Sequence, residues 1–204
     1  LLKYIQSAIE CSNNRMTKLN SKAKLMRGMS SFKVRIFLNK LLEMPNSRYL
    51  EIGVWQGSTF YSALYGNSPD FAVAIDNFSG FQGSEETFLN NLNDVVTKYE
   101  FINSDSFASK EKLASKKFNI YFYDGDHSEE SHYQALAYLY DNLDDEFIYI
   151  CDDWNWAEVK QGTFRAIQEQ NLTIVQEWDL PSNNNGDVEN WWNGLWVAIL
   201  RKKT

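Results

Sequence analysis

Short runs of consecutive apolar residues alternate along this chain with segments whose apolar positions recur every three or four residues. In "SSFKVRIFLNKLLEM", Phe32, Ile36, Phe37, Leu41 and Met44 fall on one helical face, with Ser30 or Ser31 as N-cap and Pro45 beyond the end. The runs "RYLEIG", "FAVAID", "YEFIN", "FNIYFYD" and "EFIYICD" follow, with helical segments between them. Strands apolar on both faces and separated by helices predict a parallel sheet covered on both sides. After a helix near "EVKQGTFRAIQEQ", two more runs, "LTIVQEWDL" and "GLWVAILRK", are joined only by the polar "PSNNNGDVEN", which predicts a closing antiparallel pair. The expected fold is a doubly wound α/β sheet of seven strands, mostly parallel, with helices on both faces.

Composition narrows this to one unit. A chain of 204 residues, 44% hydrophobic and 15% aromatic, buries one sizeable core. We expect that domain over 30–204, preceded by a basic leader, 1–29, that is helical or partly ordered. The net charge of −7 is uneven: residues 1–50 carry ten Lys or Arg against Glu10 and Glu43, leaving the remainder strongly acidic. A basic leader could meet nucleic acid or an anionic surface. Without the interleaved aromatics of single-strand binders, a solvated helical face or a partly ordered tail is the simpler reading. No apolar run approaches the roughly 18 to 20 residues of a membrane span, and no cleavable apolar leader is evident. Cys11 and Cys151 form neither a disulfide framework nor a thiolate metal motif. The expectation is a soluble, cytoplasmic protein without a membrane partner; assembly as a homodimer is left open.

Open sheets of this kind bind ligands beyond the carboxyl ends of their strands, where strand order reverses. Acids fall at those ends: Glu51 with Gly53 after the first strand, Asp76 after the second, Asp105 after the third, Asp124 and Asp126 after the fourth, Asp152 and Asp153 after the fifth. The turn "EIGVWQGST" has the spacing E-x-G-x-x-x-G-x-T, which is not the dinucleotide pattern G-x-G-x-x-G and not a P-loop, since no lysine follows Gly57. Gly53 and Gly57 would let backbone approach a ligand, and the helix beginning near Ser58 and Thr59 would turn free N–H groups toward an anionic group. Asp76, followed by Asn77, is placed to accept from ribose hydroxyls, and Asp105 with Ser106 could serve a purine edge.

These motifs, in this order over residues 30–204, resemble the class I S-adenosylmethionine-dependent methyltransferases. The resemblance implies that Glu51, Gly53, Gly57, Ser58 and Thr59 hold the methionine part of S-adenosylmethionine. It makes Asp76 with Asn77 the ribose side, and Asp105 with Ser106 the adenine side.

The acceptor side rests on "YFYDGDHSEE" and "YICDDW". Three or four carboxylates meet at adjacent strand ends with no lysine or arginine in either motif, and a divalent cation such as Mg²⁺ would relieve their repulsion. This part resembles the metal-dependent small-molecule O-methyltransferases, both the catechol type and antibiotic-tailoring relatives. That resemblance implies Asp124, Asp152 and Asp153 as metal ligands, with Asp124 also touching cofactor and chemistry. His127 stands where the catechol-type enzymes have their general base, although those enzymes use lysine there. Asp126 is the alternative for the role given to Asp124, and these acids could instead cap helices and bind water. His127, opening a helix, could simply bond backbone.

Tryptophans crowd the expected mouth: Trp55, Trp154, Trp156, Trp191, Trp192 and Trp196. For any one of them packing is the favoured role, while "ENWWNGLW" could form a lid. The expected function is transfer of a methyl group from S-adenosylmethionine to a hydroxyl of a small molecule or sugar, assisted by a divalent cation. The alternatives are a metal-independent methyltransferase acting on nitrogen or nucleic acid, and a nonenzymatic S-adenosylmethionine-binding module. The acidic body and the lack of an Asn-Pro-Pro-aromatic motif after the fourth strand weigh against nucleic acid.

Overall fold

Ser31 opens the first helix of the sheet region as its pattern predicts: its side chain accepts from the Val34 N–H, and the helix runs Phe32–Leu41. In the computed structural model, which describes residues 1–203, this is α3. It follows α1 (Leu2–Asn13) and α2 (Ser21–Leu25), and it precedes β1 (Arg48–Ile52), α4 (Ser58–Leu64), β2 (Phe71–Asp76), α5 (Glu85–Asn91) and β3 (Glu100–Asn103). Next come α6 (Lys110–Leu113), β4 (Phe118–Tyr123), α7 (Glu129–Ala137), β5 (Leu143–Cys151), α8 (Ala157–Glu169), β6 (Leu172–Leu180) and β7 (Leu195–Lys202).

The seven strands form one sheet in the order β3-β2-β1-β4-β5-β7-β6. Strands β1 to β5 pair in parallel, while β7 runs antiparallel between β5 and β6. The closing pair is therefore antiparallel, and the strand order reverses between β1 and β4. β5 begins earlier than its apolar run suggests, because Leu143 pairs with Phe118 ahead of a register shift.

Alternation along the strands divides the interior into two layers. Tyr49, Ala72, Ala74, Ile120 and Phe122 face one side, packed with residues of α1, α3, α4 and α5. Leu50, Ile52, Val73, Tyr121 and Tyr123 face the other, packed with residues of α6, α7 and α8. Full burial of such side chains contributes about 1.5 to 3 kcal/mol each, so both layers hold the strand ends in fixed register.

Residues 1–29 are tied to this body. Ile5 and Ala8 of α1 are fully buried in the layer that holds Phe37 and Leu41. Their basic neighbours are engaged with acids elsewhere: Arg15 with Glu189, Lys18 with Glu43 and Lys22 with Asp94. Among the described residues, no helix is long and apolar enough to cross a membrane.

Candidate active site

The reversal between β1 and β4 opens a cavity of about 300 Å³, lined by residues following β1, β2, β3 and β4 together with Met29 and Ser30. Gly53, Ser58, Thr59, Asp76, Asn77, Asp105, Ser106 and Asp124 all reach this one cavity, as do Asp126 and His127. A concave site with a few convergent polar groups at a topological switch point suits a small organic ligand.

Two of the residues expected to hold the cofactor, Glu51 and Gly57, are not part of its lining. Glu51 is fully buried and accepts hydrogen bonds from the Tyr49 hydroxyl and from Thr59 Oγ1. Burial raises its pKa from 4.5 to about 7; the two hydrogen bonds pull the other way, and the charge of Asp76 adds to the rise. Gly57 caps α4 at φ +84°, and a side chain there would press on Leu92 and Phe88, which do not line the cavity. Gly53 has a comparable role at closer quarters. Its φ is +87°, and a Cβ would sit 1.8 Å from the Asp124 carbonyl oxygen, so this glycine lets the ends of β1 and β4 touch.

Asp76 shapes the opposite rim. Its two carboxylate oxygens accept from the Trp55 N–H and the Phe78 N–H, each at 2.7 Å, which folds both loops around the cavity. A carboxylate has about four acceptor positions, so Asp76 keeps capacity for hydroxyl donors. Asn77 and Asp105 are exposed, and each bends its own loop by accepting from a backbone N–H two residues on. Ser106 is half-buried beside Asp105.

At the other end the acids converge. Asp124, His127 and Asp153 bring one ligand atom each within 4.8 Å of one another. His127 Nε2 lies 2.7 Å from Asp153 Oδ2, and the Trp156 ring stands edge-on to the imidazole at 4.5 Å. Burial pulls the His127 pKa down, but the hydrogen bond and charge of Asp153, with the charge of Asp126, outweigh this and leave it raised. Asp153 is buried, with φ 57°, a backbone conformation uncommon outside glycine. That turn separates it from Asp152, which lies outside the three-residue group. Among the described residues Asp152 Oδ1 is buried without a hydrogen-bond partner. Burial pushes the carboxyls of both Asp124 and Asp152 well above the usual range, with the charge of Asp153 acting on each and that of Asp152 also on Asp124. Asp126 points its carboxylate to Ser128 and its pKa is lowered by the Ser128 and Ser131 hydrogen bonds.

The tryptophans divide by role. Trp154, Trp191 and Trp196 are buried, Trp154 stacking on Trp196 at 4.8 Å and Trp191 meeting Phe37 edge-on. Among the described tryptophans, Trp55 lines the cavity, with the Arg27 guanidinium over its ring and its Nε1–H donating to the Phe81 carbonyl. Sequence reasoning missed Asn193, whose amide donates to Asp153 Oδ1 and accepts from the Gly186 N–H, joining the β6–β7 loop to the acid group. It also missed Met29 and Ser30 as cavity wall. The polar Asn within the aromatic run "ENWWNGLW" was the available signal for Asn193.

A family model described as methyltransferase domain matches residues 50–154, just over half of the chain. The chain belongs to this methyltransferase family. No curated protein matches it in sequence. Among solved structures, the O-methyltransferase from Bacillus cereus in complex with SAH superimposes with a TM-score of 0.66 at 13% identity, covering 98% of this chain and 99% of that one. TomG from Streptomyces achromogenes, an O-methyltransferase involved in tomaymycin synthesis, in complex with SAM, gives 0.62 at 12% identity over 98% of each chain. The O-methyltransferase NovP gives 0.60 at 15% identity over 84% of this chain and 79% of its own. At these identities the likeness is one of fold, the class I fold of S-adenosylmethionine-dependent methyltransferases.

Proposed function

We propose that this methyltransferase moves the methyl group of S-adenosylmethionine to a hydroxyl of a small molecule or sugar, with a divalent cation at the acceptor. The observation that carries the reading is the convergence of Asp124, His127 and Asp153, the first two of which line the cavity reached by Gly53 and Asp76. In this reading Asp76, with Asn77, receives the ribose hydroxyls, and Asp105 with Ser106 borders the adenine. Thr59, held by buried Glu51, borders the methionine part.

The donor set fits a hard divalent ion such as Mg²⁺: two carboxylates and an imidazole come together, and a third carboxylate, Asp152, carries an unpartnered buried oxygen beside them. Asp124 and Asp153, with Asp152, would hold the ion. When bound it would supply Lewis acidity to the acceptor hydroxyl. The chain's own residues do the rest. Asp153 orients the His127 ring, Asn193 orients Asp153, and His127 takes the proton as the sulfonium–methyl bond breaks and the oxygen–methyl bond forms. The products are the methyl ether and S-adenosylhomocysteine.

A second, metal-independent reading draws on the 2.7 Å His127–Asp153 pair, in which the carboxylate orients a neutral imidazole as the base without any ion. Methyl uptake from labelled S-adenosylmethionine by a panel of hydroxylated metabolites and glycosides, run with Mg²⁺ and with chelator, separates the two. Loss of turnover on chelation and recovery on adding Mg²⁺ supports the first reading. Full turnover by metal-free protein removes the ion and keeps the dyad. Transfer to amines alone refutes the hydroxyl acceptor.

A further inference from the structure

Arg35 is the one charged side chain of α3 that is buried, only 4% exposed, and it sits directly behind the wall formed by Ser30 and Ser58. Its guanidinium donates to neutral oxygens only: Nε to Ser30 Oγ at 3.0 Å, Nη1 to the carbonyls of Ala23 and Met26 at 2.9 and 2.8 Å, and Nη2 to the Ser30 carbonyl at 3.2 Å. Among the described residues no carboxylate pairs with it, and burial, opposed by no neighbouring charge, lowers its pKa to about 10. A guanidinium stays charged under these conditions, and a buried charge without a counter-ion is costly.

The hydroxyls in front of it are set as donors. Ser30 Oγ already accepts from Arg35 Nε, so its own proton is free to point outward, and Ser58 Oγ lies 3.4 Å from it. Gly28 makes this packing compact: a Cβ there would lie 1.9 Å from Ser58 Oγ and 2.8 Å from Arg35 Nη2. The carboxylates that line the same cavity, Asp76, Asp105, Asp124 and Asp126, belong to the segments at the ends of β2, β3 and β4. The Ser30 and Ser58 wall, with Arg35 behind it, is thus the part of the cavity suited to an anion.

We propose that Arg35, acting through the Ser30 hydroxyl together with Ser58, is the positioning residue that receives the α-carboxylate of the cofactor's methionine moiety. The inference rests on S-adenosylmethionine being the ligand of this cavity. An anion on the Ser30 and Ser58 hydroxyls offsets the buried guanidinium charge and leaves the cationic sulfonium to the carboxylates that line the cavity.

The test is calorimetry on the full chain with two probes, S-adenosylhomocysteine and its decarboxylated analogue, which keeps the amine and thioether and lacks only the carboxylate. The parent binds the first about 10- to 100-fold more tightly, as expected for charge-assisted hydrogen bonds. In Ser30→Ala and Arg35→Met that preference collapses, because affinity for S-adenosylhomocysteine falls while affinity for the analogue is unchanged; Arg35→Lys keeps part of it. Melting curves check folding, and Ser30→Ala, which leaves three of the four Arg35 hydrogen bonds in place, decides the matter if Arg35→Met does not fold. A preference that survives in Ser30→Ala, or an equal loss for both probes, overturns the proposal. Parent protein that binds both probes equally refutes the carboxylate site and leaves the cofactor reading intact. Parent protein that binds neither refutes the cofactor reading itself.

Discussion

Replacing Glu51 with Gln should change how stability depends on pH. The Glu51 carboxyl is fully buried against Tyr49 and Thr59, and its pKa rises from 4.5 to about 7 on folding, chiefly through burial. For an acid raised in this way the folded state binds more protons than the unfolded state between those values. The contribution is therefore fully present below about pH 4.5 and is lost as pH climbs toward and through 7. At about 1.4 kcal/mol per pH unit, the gap is worth about 3 kcal/mol. Gln is isosteric, uncharged, and able to keep one acceptor toward these hydroxyls, so parent and variant should have similar stability near pH 4.5. By pH 8 the variant should gain about 3 kcal/mol relative to the parent. Urea unfolding at both pH values measures it, and taking the difference cancels the titrating groups that do not feel the Glu51 charge; Asp124 and Asp152 do feel it and shift the result in the same direction. A difference independent of pH would show that Glu51 is charged at no cost in the folded protein, and the reasoning would be wrong.

Two further outcomes follow from the site. Gly53→Ala places a Cβ 1.8 Å from the Asp124 carbonyl oxygen at φ +87°, so it should cost about 2 to 6 kcal/mol in chemical denaturation and weaken S-adenosylhomocysteine binding; parent-like stability would contradict the contact. His127→Gln should lower the maximal methyl-transfer rate by about 10² to 10⁴ while leaving S-adenosylhomocysteine affinity nearly unchanged, and a rate within a few-fold of the parent would make His127 structural and Asp126 the next candidate.

Much of the fold was legible because it rests on local signals. The continuous apolar runs at β1, β2 and β4 are buried on both faces, Ser31 caps α3, and the polar "PSNNNGDVEN" does separate two antiparallel strands. The start of β5 was not legible, since Asp144 and Asp145 interrupt its apolar pattern while the ladder to β4 begins at Leu143. The cavity residues Gly53, Asp76, Asp105 and Asp124 could be read because strand ends are fixed by strand positions. What sequence hid depends on distant contacts or on one backbone angle. Ile5 and Ala8 look like part of a polar leader until α3 is packed against them, and Ser30 joins the wall through its contact with the sequence-distant Ser58, against which Gly28 also packs. Asp152 and Asp153 are adjacent in sequence, yet the φ of 57° at Asp153 gives only the latter to the group with His127.

The central claim is that the cavity between β1 and β4 holds the cofactor with its reactive sulfur toward Asp124 and His127. A crystal structure of the protein with S-adenosylhomocysteine tests it most directly. The account predicts the ribose hydroxyls on Asp76, the carboxylate on Ser30 and Ser58, and the sulfur facing the Asp124–His127–Asp153 group. The nucleoside bound elsewhere on the chain, or lying in this cavity with its sulfur turned away from that group, would contradict it.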